Sequence, residues 1–377
     1  MLSRINRDNL RILVVRPDRV GDVVLSTPVY HTLKQLLKNC YVGTLVSPYT
    51  APLLNYNPNI DVVITDDSGR EGDAGDSFMK KRREIASYKF DVALLLMPTK
   101  RHAYMLFLAG IPYRIGVGHI LYEVITLTHG VSRHKYIPLR HESDYMLDLV
   151  RRIVPRKNGE EPIVWNRPEI FVTDEERKGA LNFLAKKGFD MATPVICVHP
   201  GSGRSSPNWE VGRYAELAAK LSQSGLQVLV TGSESERAYE KAFDHGYAHL
   251  VRTIFGELSL RELTAVISQT SVFVSASTGP MHIAAAVGTP TVSMFCPLPA
   301  CSPKLWGPIG SATKIVLPPD DFCQTKCPGD PHVCTFQSGG NGIKVETVYN
   351  EIMEFLRESE VQHSKDTSND NPASNGE

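Results

Sequence analysis

The chain alternates short β-branched apolar runs with stretches of helical periodicity. Residues 11–16 (RILVVR) have the near-continuous apolar character of a strand buried on both faces. A Gly-containing turn follows, then a helix expected from about Asp22 to Leu37. Strand-like runs return at 41–46, 62–65 and 90–97, with helical stretches between them, and the polar segment 66–76 reads as a surface loop. After a Pro- and charge-rich stretch near 155–168 the pattern restarts. Strands are expected at 195–199, 227–231, 272–275 and 291–295, and helices at 214–224, 234–243, 259–268 and 280–287. Strands separated by helices imply parallel sheets covered on both faces. The expected fold is therefore α/β, with Rossmann-like domains at 1–165 and 166–358 facing a cleft, and ligands at the carboxyl ends of the strands. Residues 359–377 offer no apolar surface to bury and are expected to be a disordered tail.

A length of 377 residues also favours two domains over one. The formal net charge is zero, which argues against a dedicated nucleic-acid binder. The distribution is uneven, since residues 1–170 hold 24 Lys and Arg against 18 Asp and Glu. A basic N-terminal half could make peripheral contact with an anionic membrane surface or acceptor, or be a scatter of solvated charges. No apolar run approaches the roughly 18–20 residues that span a bilayer, and MLSRINRDNL lacks a signal-peptide core. Seven irregularly spaced cysteines fit a reducing compartment, so a cytoplasmic protein is expected.

Four segments carry candidate chemistry. In Arg16-Pro17-Asp18-Arg19-Val20-Gly21-Asp22, Asp22 reads either as a helix N-cap or as a carboxylate placed to accept a proton from a bound hydroxyl. The Gly/Ser-rich run from His199 to Trp209 follows a strand, and Ser202 and Arg204 could meet phosphate oxygens there. It is neither a Walker loop nor a GxGxxG fingerprint, and an ordinary loop is the bland reading. In Ser277-Thr278-Gly279-Pro280-Met281-His282, Pro280 suits the first helical turn, and the N–H groups ahead of it form an anion site. His282 is either a phosphate contact or a packed histidine. After another strand, Ser233 and Glu234 read as ribose ligands or as helix capping.

RPDRVGDVVLSTP, HPGSGRSSPNWEVGRYAELAAKL, TGSESE and STGPMHIAAAVGTPTVSMF, in this order and spacing, resemble glycosyltransferase family 9, the ADP-heptose-dependent lipopolysaccharide heptosyltransferases. AGIPYRIGVG at 109–118 and His141-Glu142 add to the likeness, which covers about 10–355. The resemblance implies a GT-B fold and inverting, metal-independent transfer from ADP-heptose to a lipid A–Kdo or core-oligosaccharide acceptor, with no cofactor. It implies Asp22 as catalytic base, Glu234 at the nucleotide, and Thr278, Gly279 and His282 at the diphosphate. The chain departs from the family at Pro207, where Lys or Arg is usual, and at Ser277, where many members have Asp. Arg204 is expected to supply the missing charge.

The residues agree with that chemistry. There is no Asp-x-Asp pair to hold a metal on a diphosphate, so helix N-termini, hydroxyls and Arg204 must stabilise the leaving group. Cys323-x3-Cys327-x6-Cys334, with His332 nearby and Cys296 and Cys301 earlier, reads as reduced thiols or as zinc ligands without a C-x2-C knuckle. Trp306 is expected to pack the cleft wall. The rival readings are heptosyl transfer to a protein hydroxyl, a sugar-nucleotide epimerase of the same fold, and a non-catalytic nucleotide-binding homologue.

Overall fold

The computed structural model describes residues 8–67, 75–116, 121–131, 139–154, 164–203, 206–244, 250–330, 332–336 and 342–369. The first half of the chain runs β1 (Arg11–Val15), α1 (Val20–Leu36), β2 (Tyr41–Val46), β3 (Val62–Thr65), α2 (Gly75–Ser87), β4 (Val92–Leu95), α3 (Lys100–Leu108), β5 (Tyr113–Gly116), α4 (Leu121–Ile125), β6 (His129–Gly130) and α5 (Glu142–Arg151). The second half runs α6 (Asp174–Lys186), β7 (Val195–His199), α7 (Val211–Gln223), β8 (Gln227–Gly232), β9 (Val251–Phe255), α8 (Leu260–Ile267), β10 (Val272–Ala276), α9 (Gly279–Val287) and β11 (Thr291–Met294). It closes with α10 (Pro303–Trp306), β12 (Thr313–Val316), α11 (Asp320–Lys326) and α12 (Val345–Asn369).

Both sheets have six strands, in the orders β3-β2-β1-β4-β5-β6 and β12-β11-β10-β7-β8-β9. Every pairing is parallel. Read from its own first strand, the second sheet repeats the order of the first, so this is an α/β fold of two Rossmann-like halves. The apolar runs are buried because helices cover both faces: Ile12, Leu13, Val14 and Val15 are all fully buried, as are Ile196, Cys197 and Val198. The strand order reverses between β1 and β4 and again between β7 and β10. Those two points are where a doubly wound sheet opens a crevice for a ligand.

The helix expected from Asp22 begins at Val20, which puts Asp22 inside the first turn. Residues 234–243 form 3₁₀ turns. Helix α12 runs to Asn369, well into the segment that composition marked as having nothing to bury. Extending an existing helix costs far less than nucleating one, so polar residues can continue it. Residues 370–377 lie outside the described residues.

The halves meet at the N-termini of α1 and α9. A Cβ on Gly21 would lie 2.8 Å from His282 Cδ2 and 3.6 Å from Gly279 Cα, and one on Gly279 would lie 2.8 Å from Val20 Cβ. Two glycines therefore allow two helix starts to touch across the cleft. Gly279→Ala is expected to destabilise the protein by about 1–3 kcal/mol through overpacking, read as a lowered melting temperature. An unchanged melting temperature would show that the contact is not tight.

Candidate active site

A cavity of about 830 Å³ lies where the two switch points face each other. Its walls come from the turns after β1, β7, β8 and β10 and from the start of α8. Asp22, Ser202, Ser233, Glu234, Ser277, Thr278, Gly279 and His282 all line it. Arg204 lies outside the described residues.

On the wall built from the first half, Asp22 does not cap α1; its carboxylate pairs with the Arg16 guanidinium. Arg16 is 2% exposed, although it stands at the end of β1 and bears a charge. Its Nη1 donates to Leu96 O at 3.0 Å, its Nε lies 3.0 Å from Asp18 Oδ1, and its Nη2 reaches Glu142 Oε1 at 3.5 Å. Three carboxylates thus surround one buried cation. Burial alone would weaken the charge on Arg16, but Asp18, Asp22 and Glu142 outweigh it and hold the guanidinium above its ordinary value. The surplus negative charge falls on Asp18. Burial pushes its carboxyl up to about 6 against the pull of Arg16, with Asp22 and Glu142 adding to the push.

The facing wall carries a helix N-terminus. Thr278 caps α9, its Oγ1 accepting from Met281 N at 3.3 Å, and Gly279 and Pro280 open the helix. The positive end of α9 therefore points into the cavity beside that of α1. Ser206 Oγ donates to Ser277 O at 2.8 Å, which ties the Gly/Ser-rich loop to the same site. His282 is 5% exposed, and its Nδ1 has no hydrogen-bond partner. Burial, with His141 nearby, lowers its pKa to about 3, so the ring is neutral near pH 7. His141 caps α5 through Nδ1, which accepts from Ser143 N, and its Nε2–H donates to Gly307 O at 2.9 Å, linking the halves.

At the far end of the cavity, Glu236 performs the capping that Glu234 was a candidate for. Its Oε2 accepts from Ser233 N at 2.9 Å and Ser233 Oγ at 2.8 Å. Glu234 is left exposed, paired with Arg237 at 2.8 and 2.6 Å, and Arg237 holds its carboxyl below the usual range. Gly256, with φ +69°, has no Cβ to collide with the Glu234 side chain. Leu258, Leu260 and Leu263 give this end an apolar wall.

Residues 78–328 match the model of glycosyltransferase family 9 (heptosyltransferase). The chain belongs to glycosyltransferase family 9. Lipopolysaccharide heptosyltransferase 2 of Escherichia coli K12 is 25% identical, over 81% of this chain and 88% of that one. The crystal structure of a family 9 glycosyltransferase from Veillonella parvula superposes with a TM-score of 0.79 at 21% identity, covering 94% and 99% of the two chains. The structure of E. coli ADP-heptose lipopolysaccharide heptosyltransferase II gives 0.72 at 22%, covering 93% and 100%. The fold is GT-B, and the protein is a glycosyltransferase.

In this family 9 enzyme the cation question looks different from its reading in the sequence. Pro207 is buried, lines a separate small cavity with Cys296, Phe322 and Cys334, and is not among the residues lining the cleft. Among the described residues lining the cleft, Arg19 is the one Lys or Arg. Nothing in the spacing of the motif distinguishes it from a solvated charge, and the N-cap position of α1 is what brings it to the cleft. Arg16 and Glu142 were missed for a related reason: a charge is buried at their positions only because β1 and α5 converge. Trp306 lines the cleft, with Nε1 donating to Ala300 O at 3.0 Å. Cys296, Cys323, Cys327 and Cys334 share a small separate cavity. All are free thiols, burial pushes Cys296 up to about 11, and among the described residues no group is placed to hold a metal.

Burial keeps His141, His199 and His282 below the usual histidine pKa in the folded protein. The unfolded chain takes up protons first as the pH falls below about 6.5, so stability present above that pH is lost towards pH 5. For His282, whose folded value is about 3, the loss over that interval is up to about 2 kcal/mol. The melting temperature should fall from pH 7 to pH 5, and less steeply in His282→Gln. Equal slopes would place the His282 ring in water.

Proposed function

We propose that this glycosyltransferase moves a heptosyl residue from ADP-heptose to a lipid-linked inner-core acceptor such as lipid A–Kdo or core oligosaccharide. In this reading the transfer inverts the anomeric centre and needs no metal. The observation that carries it is the opposition, across one cavity, of the Asp22 carboxylate and the N-terminus of α9. The donor and acceptor classes are supported by relatives whose names specify ADP-heptose and lipopolysaccharide. Family membership favours transfer over the epimerase reading, because it is a family of glycosyltransferases.

Each residue then has a task. Thr278 and Gly279 present N–H groups to the diphosphate, with Arg19 and the neutral His282 beside them, and Ser202 and Ser277 complete the polar lining. Glu234 exchanges Arg237 for ribose hydroxyls, and the base lies on Leu258, Leu260 and Leu263. Asp22 takes the proton of the acceptor hydroxyl as its oxygen bonds to the anomeric carbon. The bond from that carbon to the phosphate oxygen breaks on the opposite side, and its electron pair leaves with ADP. An ordinary carboxylate is a weak base towards an alcohol, so proton transfer runs late, together with C–O bond formation. Arg16 fixes the direction of the Asp22 carboxylate. Helix ends and Arg19 take the role that a divalent ion plays on other diphosphates.

The test is turnover with a panel of nucleotide sugars and a lipid A–Kdo acceptor, in EDTA, for wild type and Asp22→Asn. ADP release and an inverted anomer are expected from ADP-heptose alone. Asp22→Asn should lose about 10²–10⁴ in turnover with donor affinity nearly intact. Retained activity in Asp22→Asn removes the base, and activity restored only by a divalent ion removes the metal-free mechanism.

A further inference from the structure

Helix α4 is built inside out. Glu123 and Thr126 point inward, 1% and 0% exposed, while Leu121, Val124, Ile125 and Leu127 stand 74%, 63%, 52% and 68% exposed. A surface helix ordinarily turns its apolar face to the core, so this polarity marks an interface. The patch continues onto the end of α3. Arg114 donates to Thr126 O at 3.1 and 2.7 Å and lies over the ring of Phe107, itself 39% exposed. Beside Phe107, Leu108 is 49% exposed, and its carbonyl accepts from Arg82 of α2 at 3.2 Å. Helix α2 brings the run Lys80, Lys81, Arg82 and Arg83, of which Lys80 and Arg83 are exposed. Glu84 pairs with Lys81, and Glu123 is buried, so among these charged side chains Lys80 and Arg83 are the exposed ones.

Its place in the fold gives it a purpose. Tyr122 Oη donates to Pro98 O at 3.1 Å, just beyond β4, and Glu123 packs on Gly116, the last residue of β5. Helix α4 therefore lies over the carboxyl edge of the first sheet, the edge that carries Asp22 beyond β1. None of Phe107, Leu108, Leu121, Val124, Ile125 or Leu127 lines the donor cavity.

We propose that α2, α3 and α4 form a docking surface for an anionic lipid bilayer, with the α4 side chains at headgroup depth and Lys80 and Arg83 on the lipid phosphates. Exposed Leu, Ile and Phe beside a basic helix have the complementarity such a surface demands. The inference rests on the reading that the acceptor is lipid-linked. It adds that the enzyme is seated with Asp22 turned towards the bilayer that holds that acceptor.

The experiment is sedimentation of the full chain with vesicles of phosphatidylglycerol and phosphatidylethanolamine, against phosphatidylcholine alone. Wild type should partition onto the anionic vesicles, more weakly at high salt. Leu121→Asp/Val124→Asp and Lys80→Glu/Arg83→Glu should each lower partitioning about tenfold or more, with wild-type melting temperature. Both variants should keep turnover on a deacylated, water-soluble acceptor and lose it on a vesicle-embedded one. Equal binding to both vesicle types, or variants that bind like wild type, overturns the proposal. So does a wild-type dimer dispersed by Leu121→Asp/Val124→Asp, which would assign the patch to a second copy. Vesicle binding without turnover on any acceptor would instead overturn the heptosyl-transfer reading and leave the surface standing.

Discussion

Everything in the site depends on how closely α1 and α9 approach at their N-termini. A Cβ on Gly279 would sit 3.3 Å from the Gly21 backbone nitrogen, so only two glycines let the helix starts meet. Two positive helix ends facing one another repel. That arrangement is sustainable where an anion is bound between them and where acidic groups stand nearby, and Asp18 and Asp22 both lie at the start of α1. The same junction fixes the distance between the Asp22 carboxylate on one half and the N-terminus of α9 on the other. It also packs His282 against Gly21, where burial keeps the ring uncharged.

A second balance operates around Arg16. A buried cation is tolerable only when paired, and a carboxylate cluster only when something positive sits within it. Arg16 meets Asp18, Asp22 and Glu142 together, drawing β1, α1 and α5 to one point. Burial is the main reason why Asp18 is pushed up to about 6, and Asp22 and Glu142 add to it against the pull of Arg16. Asp22 is thus held in place by an arginine that it shares with two other carboxylates.

Much of this was legible in the residues. The buried strands of both sheets announce themselves as β-branched runs, and Pro280 after Thr278 and Gly279 marks a helix start that structure and sequence place alike. The short strands Tyr113–Gly116, His129–Gly130, Val251–Phe255 and Thr313–Val316 were not legible, because they are brief and all but Tyr113–Gly116 sit at or near sheet edges with polar residues among them. Their existence is decided by neighbours that offer hydrogen bonds. In the site, turns that follow strands pointed to Asp22, Ser202, Glu234 and Thr278, since the loop after a strand is where such folds place chemistry. The Arg16–Glu142 contact was hidden because the two residues are 126 positions apart in the chain.

The account comes down to where the diphosphate sits, and a crystal structure of the protein with ADP measures that directly. The diphosphate oxygens should lie within hydrogen-bond distance of the backbone N–H groups at the start of α9, close to Arg19. The Asp22 carboxylate should still be held by Arg16 and should not touch the phosphates. A diphosphate found away from the α9 N-terminus, or joined to Asp22 through a divalent ion, would contradict the account.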